Sequence, residues 1–81
     1  MLEQVNQQIE VLVAFMRNKI LPLSFRWENK RYSVKKVNLV NSEYKGREKI
    51  YYFSVNSNND YFKLAFYSHS QKWVLQEAYF E

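Results

Sequence analysis

The sequence predicts an α+β fold: one N-terminal helix over residues 2–19, then a five-stranded antiparallel β-meander over residues 23–79, strongly twisted or barrel-like. Apolar residues recur at helical spacing before the lone proline, Pro22, and alternate with polar residues after it. The connections between the later apolar runs are short, which favours antiparallel neighbours.

The 81 residues suffice for one domain, read as 1–81, and are too few for two. Aromatic residues make up 19% of the chain, far too many for a disordered segment. Cysteine is absent, so disulfides, thiolate metal sites and a cysteine nucleophile are excluded.

The helix rests on Leu2, Val5, Ile9, Leu12 and Met16, spaced alternately by three and four as in a heptad. Glu3, Gln4, Asn6, Gln7, Gln8 and Glu10 cover its other side. Val11, Val13, Ala14 and Phe15 then widen the apolar stripe beyond what one packed face requires. The surplus points to a second contact, such as a homodimer through Leu2, Val5, Ile9, Leu12, Val13, Phe15 and Met16. Pro22 is expected to stop the helix, since it lacks an N–H and disfavours helical geometry at Leu21.

After Pro22 the period is two. Phe25 and Trp27 point to one face and Arg26 to the other. Asn29-Lys30 is a turn candidate, and the return strand runs from Arg31 to Leu39. Its alternation slips once at Lys35-Lys36, the sequence mark of a β-bulge. Residues 41–48 read as a polar loop around Gly46. Strands follow over 49–56, 61–67 and 72–79, with turns over 56–60 and 68–71. The predicted core is Phe25, Trp27, Tyr32, Val34, Val37, Phe53, Val55, Phe62, Leu64, Phe66, Trp73 and Leu75, with Ala78 inward after a further slip.

The run Phe25-Arg-Trp27-Glu-Asn-Lys30-Arg-Tyr32-Ser-Val34, then Tyr61-Phe-Lys-Leu64 and Trp73-Val-Leu75, resembles a small bacterial family of unknown function. That family carries F-x-W-x-G-[RK]-x-Y-x-V, a Trp/Tyr-rich strand, Y-x-L and a closing W-x-L. The resemblance covers residues 22–79; Asn29 stands where the family prefers glycine, and Tyr51-Tyr52-Phe53 where it prefers tryptophan. Members are encoded near DNA-repair polymerase genes, so the resemblance implies nucleic-acid company. It supplies no catalytic residue.

Charge points the same way. Lys and Arg outnumber Asp and Glu by 12 to 8, and residues 26–49 alone hold an excess of five bases. Such a surplus attracts phosphate or an acidic partner. Arg26, Lys35, Lys36, Tyr52, Tyr61, Lys63 and Tyr67 are expected opposite the core, a basic and aromatic face suited to stacking DNA or RNA bases. Little supports an enzyme. His69 is the only histidine, Asp60 the only aspartate, and Gly46 the only glycine, too few for a phosphate-cradling loop. Nothing in the sequence calls for a cofactor or a small-molecule substrate. No run approaches the ~20 apolar residues of a membrane span, and no secretion leader opens the chain, so the expected setting is the cytoplasm. The reading is a small non-enzymatic binding module, with self-association through the N-terminal segment as the alternative.

Overall fold

The computed structural model describes every residue from Met1 to Glu81, and it is all β. Seven strands run β1 (Leu2–Met16), β2 (Lys19–Trp27), β3 (Lys30–Ser33), β4 (Lys36–Lys45), β5 (Glu48–Ser57), β6 (Asp60–Tyr67) and β7 (Lys72–Tyr79). They form one antiparallel sheet in the order β3-β2-β1-β7-β6-β5-β4. The helix expected over 2–19 is absent and the α+β class falls with it. So do the five-strand count, the polar loop at 41–48, of which Asn41–Lys45 belong to β4, only Gly46-Arg47 form a turn and Glu48 opens β5, and the turn at Asn29-Lys30, which is Glu28-Asn29. Pro22 lies buried inside β2 and ends nothing.

The register explains the misreading of β1. Ile9 pairs with Trp73, Val11 with Phe25 and Phe15 with Ile20, so Ile9, Val11, Val13 and Phe15 share the concave face at a spacing of two. Between Gln4 and Gln7 the β1–β7 register slips, and Asn6 there has φ 51°. Val5, Gln7 and Ile9 nevertheless all point inward in regular alternation, so Val5 and Ile9 fall four apart with a polar residue between them. Leu12 and Met16 then complete a helical spacing from the opposite face. The dimer contact predicted for one side of a helix is thus divided between two faces of a central strand.

The later strands follow their pattern closely. All twelve predicted core residues, with Ile9 and Ala78, belong to one apolar cluster on the concave face. Phe25 stacks on Tyr32 at 5.1 Å and meets Phe62 edge-on at 5.0 Å, while Phe66 stacks on Trp73 at 4.7 Å. The Trp27 indole N–H donates to the Gln7 side-chain oxygen at 3.0 Å, which satisfies a partly buried donor. The slip expected before Ala78 is present: Leu64 pairs with Leu75 and Lys63 with Glu77, so Gln76 has no partner on β6.

β1 and β7 pair at Leu2–Tyr79, so the first and last strands are neighbours, and the cyclic strand order is broken only between β3 and β4. Those two strands are one bent stretch of chain. Val34 N–H donates to the Leu23 carbonyl at 2.9 Å, and Lys35 N–H donates to the Asn56 carbonyl at 2.8 Å. The alternation slip at Lys35-Lys36 therefore marks a change of partner from β2 to β5, and Val34 and Val37 both still reach the core. The bend closes the barrel at one end. At the other end β2 and β4 diverge and leave it open.

Candidate functional site

The convex face is where the sequence places nucleic acid, and the ladders settle who stands there. Tyr61, Lys63, Tyr52, Tyr67 and Arg26 all lie opposite the core, with Lys36 beside Asn56 and Tyr61. Lys35 sits in the bend. They do not gather. Arg26 on β2 and Lys63 on β6 are three strand spacings apart, about 14 Å across the sheet. Lys63 stands opposite Glu77, and Arg26 opposite Glu10. Tyr52 is only 9% exposed and packs with Ile50 and Ala65 in a small convex cluster. Burial, and then a hydrogen bond with Glu43, pushes its phenol pKa up. Tyr67 packs against that cluster with Lys72 over its ring at 5.4 Å. Tyr61 alone presents an open ring, at 48% exposure.

The positive charge collects elsewhere. A meander alternates its turns between two ends, so the turns at 17–18, 46–47 and 68–71 share the open end and those at 28–29 and 58–59 the closed one. Arg17, Lys19, Lys45, Arg47, Lys49 and Lys72 ring the open end against Glu43 and Glu48. The other six bases are balanced by the other six acids, so the whole formal charge of +4 resides at the open end. Glu48 is engaged: it accepts from the Ser70 backbone N–H and hydroxyl, both at 2.8 Å. Those bonds, with His69 and Lys72 nearby, hold its carboxyl below the usual range. Ser68 donates through N–H and hydroxyl to the Lys49 carbonyl, which ties the Ser68–Gln71 turn to β5.

Inside this basic ring the surface is apolar and aromatic. Lys49 Nζ lies 5.7 Å from the Tyr44 ring centre and 5.2 Å from that of Tyr51. Tyr44 is 69% exposed and Phe15 64%, although Phe15 still meets Phe66 at 6.0 Å. A cleft of about 360 Å³ runs between the diverging strands, floored by Ile20, Leu21, Val37, Leu39, Tyr51 and Phe53. A second depression, about 470 Å³, is lined by Val11, Val13, Phe15, Phe66 and Trp73, with Gln8, Glu10, Gln71 and Lys72 also bordering it.

Of the predicted contact residues of the N-terminal segment, Val13 and Phe15 reach this depression, and Val5 and Ile9 pack in the core. Leu2, Leu12 and Met16 are exposed. The sequence reading missed Arg17, Lys19, Tyr44, Lys45, Arg47 and Tyr51 as a group. Turn parity was the signal that could have found them, and it was hidden while residues 2–19 read as helix. His69 is exposed on the open-end turn. No helix is long and apolar enough to cross a membrane. No protein-family model, curated protein or solved structure matches the chain.

Proposed function

We propose that the chain is a small binding module, not an enzyme, that takes a polyanionic partner at the open end of its barrel. The observation that carries this is the segregation of charge: six bases and two acids ring the apolar mouth, and the rest of the molecule is neutral. A one-sided field of this kind raises the local concentration of anions and steers their approach. The exposed Tyr44 and Phe15 rings add apolar and stacking contact within the same ring of charge. Nucleic acid as the partner would meet its charge here and not on the convex face, where Lys63 faces Glu77 and Arg26 lies between Glu10 and Arg31.

Titration with fluorescently labelled single-stranded oligothymidylate and with polyglutamate, each at two salt concentrations, tests the reading. Affinity should fall steeply with salt as counterions are released. Lys45→Glu with Arg47→Glu should weaken binding by about tenfold or more, because two attractive contacts become repulsive. Arg26→Glu with Arg31→Glu, on the convex face, should leave it within about twofold. Absence of binding to either polymer at low salt, or an equal loss in both variants, overturns the proposal.

A further inference from the structure

We infer that an extended acidic segment of a partner protein adds as a strand to β4, filling the seam between β4 and β2. The inference rests on the open-end reading above and deepens it by naming the partner. Three features of the seam converge. First, β4 pairs with β5 along one side, and no strand borders its other side from Lys36 to Lys45. The facing stretch of β2, Lys19–Pro22, pairs only with β1, because β3 begins its pairing at Ser24. Two unpaired strand edges therefore border one cleft, a vacancy of the kind that β-strand addition fills. Second, the floor suits alternate side chains of an extended peptide. Ile20, Leu21, Val37, Leu39, Tyr51 and Phe53 form it, and Leu39 is 58% exposed. Third, the segment Val37-Asn-Leu-Val-Asn-Ser42 has no charge and no proline, the composition that invites pairing and that edge strands ordinarily avoid.

Of the two edges, β4 is the acceptor. Its free edge runs for ten residues, Lys36–Lys45, against the four of Lys19–Pro22 on β2. The bulge at Val40 leaves Val37–Leu39 and Asn41–Lys45 as two regular stretches on which to pair. Charge selects the occupant. Lys19 lines the cleft, and Lys45, Lys49 and Arg47 stand at its mouth, so acidic residues alternating with apolar ones match it. A second copy matches poorly, since antiparallel pairing of β4 with itself over its full length opposes Lys36 to Lys45. A nucleic-acid backbone offers phosphate acceptors without the alternating N–H donors that a β ladder needs.

The probe is an alternating valine–glutamate peptide of about eight residues, roughly the span of a strand. Its control keeps every glutamate, and so the full charge, with every second valine replaced by proline. Amide hydrogen exchange of the ¹⁵N-labelled full chain reads the outcome residue by residue. The alternating peptide should slow exchange within Val37–Ser42 by about tenfold or more while leaving β6 and β7 unchanged. The proline peptide should not. Leu39→Asn should weaken the peptide about tenfold and, adding no charge to the basic end, change oligothymidylate binding by less than about twofold. Because Leu39 is exposed, the variant is expected to fold, and circular dichroism checks that it does. If the proline peptide binds equally, or β4 exchange is not slowed although Lys45→Glu with Arg47→Glu still weakens polyanion binding about tenfold, strand addition is wrong and the basic-end reading survives. Tighter binding of oligothymidylate, displacing the peptide, also overturns it, as does β4 protection in a dimer formed without peptide.

Discussion

Tyr32 shows how much one side chain in this sheet is asked to do. Its ring stacks on Phe25, meets Phe62 at 5.0 Å and carries Lys30 over its face at 5.2 Å. Burial, with the negative charges of Glu28 and Asp60 behind it, pushes its phenol pKa up. A phenol pKa raised by folding means that the folded state holds the proton more tightly than the unfolded chain. Its stabilising contribution is complete below the ordinary phenol pKa of about 10 and is lost as pH rises through the folded value. Tyr52 is shifted in the same direction. Urea unfolding followed from neutral pH to beyond pH ~10 should show falling stability. Tyr32→Phe, which keeps the ring contacts, should flatten that fall and leave neutral stability within about 0.5 kcal/mol. An unchanged alkaline slope in Tyr32→Phe would show that the hydroxyl is not the group responsible. Glu48 works in the opposite sense at acid pH. Its carboxyl is depressed, so its contribution is present above the ordinary carboxylate range and is lost as pH falls through the folded value.

Among the strands, legibility followed how cleanly each one alternates. β7 was read to its exact bounds and β5 and β6 to within a residue at each end, because Phe53, Val55, Phe62, Leu64, Phe66, Trp73 and Leu75 hold one face without interruption. β1 carries the same alternation, but its inward row includes the polar Glu3 and Gln7, while Leu2, Leu12 and Met16 stand on the opposite face. Polar residues on the inward row plus apolar residues on the outward one thus imitate a heptad. The β-branched Val5, Ile9, Val11 and Val13 were the competing signal, since such residues favour a pleated surface. The second half of β4 was lost for a different reason: it is an edge, exposed on both faces, and Asn41-Ser-Glu-Tyr44 shows no buried side to read. A substitution at Gln8, opposite Val74 on the convex face, separates strand from helix behaviour. Gln8→Thr should stabilise relative to Gln8→Ala, within a span of about 1 kcal/mol in urea denaturation. The reverse order is what a helical segment would give.

For the molecule as a whole, every strand contact except one is a hairpin or the β3–β4 bend, and the exception joins the two ends of the chain. The Met1 ammonium donates to the Phe80 carbonyl at 2.6 Å, and Phe80 N–H donates to the Met1 carbonyl at 2.9 Å. The same arrangement separates the tips that carry the basic ring from the closed, neutral end, which is why a charge surplus contiguous in sequence over residues 26–49 disperses in space. Because the termini touch, they can be joined by a short glycine linker and the chain reopened elsewhere. Reopening at Gly46–Arg47, an exposed hairpin tip, should leave the melting temperature near that of the parent. Reopening between Val34 and Lys35 frees the bend that links β2 to β5, so the bonds to Leu23 and Asn56 fray and the closed end gains two true edges. That permutant should melt about 4–8 °C lower, a loss on the order of 1 kcal/mol, and should expose Trp27 to an added quencher. Equal melting temperatures for the two permutants would mean that the bend contributes nothing. The barrel would then be held by its hairpins and the β1–β7 pairing alone.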